Sequence, residues 1–149
     1  MRDVRRLSLT PTCDNDHVTW RRAYWLLFAA WIGCALLGMN HVKAGLVTSY
    51  GADLTQPPWL YIVARSLYDP SRTNWMRRTL GYSPATAALG IWVAGALTEF
   101  SQLIWPDGLF RGVFDPLDLV AYATGLLVCY LIERHEMRTQ SLRRVGSAV

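Results

Sequence analysis

Charge is scarce in this chain. Of its 149 residues 17% are Asp, Glu, Lys or Arg, against roughly 25% in an ordinary soluble domain. With 52% hydrophobic residues a disordered chain is excluded too. Cysteine is rare: Cys13, Cys34 and Cys129 are widely spaced, odd in number and without a CxxC, so neither a disulfide scaffold nor a zinc knuckle is written here. There is no HExxH and no phosphate-cradling Gly loop. Lysine is nearly missing, with Lys43 alone beside fourteen arginines. No internal repeat or long linker is visible, and the length allows one domain.

What the chain has instead is long uncharged runs and aromatic residues, seven Trp and seven Tyr. Residues 23–42 are twenty positions without a formal charge, enough at 1.5 Å per residue to cross a hydrocarbon core about 30 Å thick. A second run of twenty extends from Thr79 to Thr98. Its punctuation, Ser83-Pro84 before and Trp105-Pro106-Asp107-Gly108 after, predicts a helix over 84–105 that contains Glu99. The last run, Leu119–Ile132, is fourteen residues and spans only if it starts near Asp115-Pro116, giving 115–132. The weakest segment is 52–67, where an eleven-residue uncharged run is interrupted by Pro57-Pro58. Alone it reads as a short span, a re-entrant segment or a surface helix.

Charge sidedness decides between three and four spans. With four, residues 1–22, 65–78 and 134–144 share one side and hold thirteen of the fifteen basic residues, leaving Lys43 and Arg111 opposite. The positive-inside rule then predicts an all-α, polytopic four-helix transmembrane bundle with both termini cytoplasmic. The ends, 1–22 and 133–149, read as polar cytoplasmic tails. Trp20 and Trp25 at one mouth, and Trp59 and Trp105 at the other, fit interfacial aromatic belts. The same sidedness accounts for the arginines, so nucleic acid is not expected as a partner.

Sorted this way, Asp53, Glu99, Asp107, Asp115 and Asp118 gather at the non-cytoplasmic face. An acid within a span costs about 2–3 kcal/mol at the centre, so a compensating partner is expected. Gln102 is three residues beyond Glu99, on the same helix face. Asp115, Asp118, Tyr122 and Gly125 recur at intervals of 3, 4 and 3, one continuous stripe. Arg111, in the short loop between the last two spans, can pair with either face. Each has a plainer reading: Asp115 as an N-cap, Asp118 as an acid in a first turn, Glu99 as a snorkelling residue, Tyr122 as packing, and Gly125 as a close helix contact.

The pattern Glu99-x-x-Gln102, then Arg111 before Asp115, then Asp118-x3-Tyr122-x2-Gly125 resembles the two C-terminal helices of VanZ-like membrane proteins. That family usually has Asn where this chain has Tyr122, and its arginine-to-aspartate spacing differs by about a residue. A sister family of small bacterial four-span proteins is more similar. Its last helix reads much like Asp118-Leu119-Val120-Ala121-Tyr122-Ala123-Thr124-Gly125, and its second opens with Gly-Asp, echoed by Gly51-Ala52-Asp53. The resemblance covers roughly residues 50–132. It implies a four-span bundle in the cell envelope, at the bacterial inner membrane. VanZ-like proteins are associated with tolerance of glycopeptide antibiotics, a role that Tyr122 does not support.

The expected function is non-enzymatic: an acidic pocket of Glu99, Gln102, Arg111, Asp115, Asp118, Tyr122 and Asp53 that takes a lipid headgroup or cationic amphiphile. No cofactor and no metal is assigned. The alternatives are a membrane-embedded enzyme using Glu99 and Asp118 on a lipid-linked substrate, a small proton-coupled transporter, and a structural subunit without a ligand. Homo-oligomerisation is left open.

Overall fold

Two of the helix starts are written locally, in a cap followed by a proline. The Ser83 hydroxyl accepts the Thr86 N–H at 3.1 Å while the Thr86 hydroxyl oxygen accepts the Ser83 N–H at 2.9 Å, a reciprocal capping box with Pro84 as the first helical residue. Asp115 does the same for the last helix, its Oδ1 accepting the Leu117 N–H at 2.9 Å ahead of Pro116. The computed structural model describes residues 14–40, 45–69, 71, 75–105 and 114–146. They form α1 (Asp14–Met39), α2 (Leu46–Arg65), the short α3 (Trp75–Thr79), α4 (Pro84–Ile104) and α5 (Pro116–Gly146). No strand occurs among them.

The side-chain contacts give the direction of each helix. Tyr24 stacks on Tyr68 and Trp31 on Trp59, so α1 and α2 are antiparallel. Asp53 and Glu99 meet the same tyrosine of α5, Tyr122, while Gly81, just before α4, meets Ala64 and Arg65. Thus α4 runs against α2. Asp53 pairs with Tyr122 and Arg65 with Glu133, so α5 runs parallel to α2. The order is up, down, up, down, with α2 touching every other helix.

Three helices are long and apolar enough to cross a membrane: Thr19–Met39, Pro84–Ile104 and Pro116–Arg143. Their outer faces are lined with exposed Leu26, Leu36, Leu89, Leu97, Leu103 and Leu131, an apolar surface far more continuous than a water-soluble monomer presents. The central α2 is less apolar. It buries Tyr61, Ile62 and Ala64 against its neighbours, and Ser66 just after its end, because a helix surrounded by protein can carry hydroxyls and carboxyls that lipid would not solvate.

One expectation is corrected and two others gain detail. The Pro57-Pro58 pair does not interrupt α2, which is one helix of 20 residues with both prolines inside. Pro58 leaves the Leu54 carbonyl without its helical donor, and that carbonyl is covered by the closely approaching Gly125 backbone of α5. Residues 133–146 are helical, since α5 continues unbroken through all 31 of its residues, about 46 Å. Glu133 itself is buried, held by Arg65. Trp20 and Trp59 are both engaged within the bundle. Trp59 packs at mid-helix with Tyr24, Phe28 and Trp31, and Trp20 is buried, donating its indole N–H to Glu136 at 2.8 Å.

Candidate acidic site

Four carboxyls converge where the N-terminal part of α2, the C-terminal part of α4 and the first turns of α5 meet. Tyr122 of α5 stands at their centre. Its hydroxyl lies 3.1 Å from Asp53 Oδ1 and 3.2 Å from Glu99 Oε1. Asp118, one turn before Tyr122 on α5, is close enough to Asp53 and Glu99 to act on both electrostatically. Asp115 is the fourth, near enough to act on Asp53, Glu99 and Asp118 electrostatically.

These groups are not equivalent. Asp115 spends Oδ1 on its cap and accepts the Tyr50 hydroxyl on Oδ2 at 3.0 Å, so it anchors α5 to the start of α2. Glu99 is only 5% exposed. One of its oxygens meets Tyr122, while Oε2 is buried with no partner among the described residues. Gln102, one turn further along α4, likewise has a buried Oε1 without a partner. A phenol has one proton to donate, so Tyr122 cannot satisfy Asp53 and Glu99 fully at once. The site therefore holds an excess of acceptors, and a buried acceptor left unsatisfied costs on the order of 1–3 kcal/mol.

Of the seven residues expected from sequence, the structure brings Asp53, Glu99, Asp115, Asp118 and Tyr122 together, with Gln102 beside Glu99. Arg111 lies outside the described residues. Among those described, no three His, Cys, Asp or Glu side chains are arranged to hold a metal ion. Tyr50 was missed, although its position three residues before Asp53 puts both on one helix face. The plainer reading of Gly125 agrees with the geometry, since a Cβ there would stand 2.6 Å from Pro58 Cγ. Tyr122 is both a packing residue, against Gly95, and the polar hub.

A second polar cluster, at the other end of the bundle, was also missed. Arg65 donates from Nε to both oxygens of Glu133 at 3.0 and 3.2 Å and from Nη1 to the Gly81 carbonyl. Tyr61 adds its hydroxyl to Glu133. Every oxygen of that carboxylate is used, so it locks α2, α5 and the entry to α4 together and has no acceptor to spare. An acid and a base each closing an apolar run on the same expected side was the available signal.

These features define an all-helical, membrane-integral protein whose buried polar groups are sorted into a closed lock at one end and an acceptor-rich site at the other. Comparison with protein-family models, curated proteins and solved structures finds no match for the chain.

Proposed function

We propose that this is a four-span, VanZ-like protein of the bacterial inner membrane, non-enzymatic, whose acidic site takes a lipid headgroup or a cationic amphiphile. The observation that carries the reading is the buried Glu99 carboxyl, whose Oε2, like the Oε1 of Gln102 one turn on, has no hydrogen-bond partner among the described residues, in a group of four acids. Carboxyls at the edge of a low-dielectric region attract a cation more strongly than the same groups in water. Lipid extracted with the protein in mild detergent is expected to be enriched in cationic or amine-bearing species by mass spectrometry. Glu99→Gln with Asp118→Asn should reduce that enrichment at least tenfold, and an unchanged lipid profile in a folded double variant refutes the reading.

The topology has its own support. Helices α1 and α4 run in the same direction, so if both cross the bilayer the chain between them has to return across it. Helix α2 is the segment available, and 20 residues reach about 30 Å. With the arginine-rich ends of α1 and α5 at one end of the bundle, the positive-inside rule puts both termini in the cytoplasm. Reporter fusions after Gly146 and before Asp14 are expected to report the same, cytoplasmic side. Opposite sides would remove the four-span topology and the outward-facing site together.

A further inference from the structure

Helices α4 and α5 are antiparallel neighbours that leave a groove between them on one side. It measures about 300 Å³ and is lined by Ala85, Ala88 and Trp92 of α4 and by Ala123, Leu127 and Tyr130 of α5, among others. The alanines leave the space. Leu89 and Leu127, which flank it, are 63% and 54% exposed, so it opens on the apolar outer surface. Ala85 to Trp92 and Ala123 to Tyr130 are each about 10 Å along the helix. Trp92 spends its indole N–H on the Leu119 carbonyl at 3.3 Å, so it brings no spare donor to these apolar walls.

One end of the groove is different. Tyr130 closes the α5 wall, and its hydroxyl accepts a hydrogen bond from Arg134 Nη1 at 2.9 Å, with the guanidinium carbon 5.8 Å from the ring centre. Arg134 is exposed and is the first basic residue after the uncharged run Leu119–Ile132. Unlike Arg65, it makes no ion pair among the described residues. With Nη1 used on Tyr130, the Nε and Nη2 donors remain as a fork that matches two oxygens of a phosphate. The Tyr130 hydroxyl accepts from Arg134 and keeps its own proton to donate. Arg138, one turn on, is exposed on the same helix face. The first turn of α4, to which Ala85 belongs, adds the positive end of its dipole.

We propose that the groove seats one acyl chain of an anionic phospholipid from the surrounding leaflet, its phosphate held by Arg134 and the Tyr130 hydroxyl. The inference is independent of the acidic-site reading, since Arg134 follows Glu133 at the opposite end of the bundle. Charge complementarity selects the occupant. The walls suit hydrocarbon, the arginines suit an anion, and Tyr130 belongs to both. A volume near the lower bound of the roughly 300–1,000 Å³ usual for small-molecule sites suits one chain better than two. A second copy of this chain fits less well. Copies in one membrane are oriented alike, so packing this face on itself brings Arg134 and Arg138 of both to one level, like charge against like.

The test uses the full-length protein in lipid nanodiscs and two phospholipids with the same diazirine-bearing acyl chain, phosphatidylglycerol and phosphatidylcholine. Photolabelling of the groove at Leu89, Trp92 or Leu127, read by peptide mass spectrometry, is divided by labelling at Leu36, exposed on α1. The anionic lipid is expected to label the groove about fivefold better than the zwitterionic one, the factor that one basic residue near the membrane surface supplies. Arg134→Gln, a change at an exposed position, should bring that preference below twofold. Ala123→Phe should cut groove labelling at least fivefold and leave Leu36 unchanged, because the added ring occupies the space of the chain. Equal labelling by the two lipids, or a preference indifferent to Arg134→Gln, overturns the phosphate site. Labelling no denser in the groove than at Leu36 overturns the seated chain. If Ala123→Phe instead dissociates a dimer and leaves lipid labelling unchanged, the groove belongs to a second copy and the proposal falls.

Discussion

Replacing Arg65 by alanine is expected to destabilise the folded protein by about 3–5 kcal/mol, the cost of removing one partner from a buried ion pair. Glu133 is 4% exposed, and in the variant it keeps one donor, the Tyr61 hydroxyl. The guanidinium also closes the turn before α4 through the Gly81 carbonyl, so the loss falls on three helices at once. Unfolding in mixed micelles with increasing denaturing detergent, followed by tryptophan fluorescence, measures the effect. The double variant Arg65→Met, Glu133→Leu should recover most of the stability, because apolar groups of similar volume need no counter-charge. A single variant as stable as the wild type would show that the pair is a solvated contact and not the lock that joins α2 to α5.

Gly125→Val should be the other severe substitution, and it acts on the site as well as on stability. A Cβ at residue 125 meets Pro58 Cγ at 2.6 Å and the Leu54 carbonyl oxygen at 2.8 Å. Neither can give way, since one is a proline ring and the other is backbone. The helices must separate, at a cost of about 1–3 kcal/mol for overpacking. Separation also draws Asp53 away from Tyr122 and Tyr50 away from Asp115, because both hydrogen bonds bridge α2 and α5. The same unfolding assay reads the first effect, and lipid co-purification reads the second. Gly33→Val is the control: nothing lies within 4 Å of a Cβ there, and it should leave both readouts near wild type.

The two polar clusters divide the labour suggested by these variants. At the Arg65 end the acceptors and donors are matched, so that end of the bundle is closed by its own groups. At the Glu99 end acceptors outnumber donors. A protein that needed both ends only for stability would gain from matching both.

Much of this was legible one residue at a time. Ser83-Pro84 and Asp115-Pro116 mark the starts of α4 and α5 because capping is a contact between residues two or three apart. The uncharged runs mark the apolar helices because lipid solvation depends on composition along a single helix. Intervals of three and four put Glu99 with Gln102, and Asp115 with Asp118 and Tyr122, on single helix faces. Sequence alone therefore determined an all-helical chain, its apolar helices and which acids share a face. Tertiary structure decided the rest: that α2 passes unbroken through two prolines, that Tyr122 stands between Asp53 and Glu99, and that Glu133 belongs to Arg65 and not to a solvated tail. Each of these depends on partners 23 to 72 residues apart or on the shape of a facing helix, and packing between helices has no period that a single sequence can display.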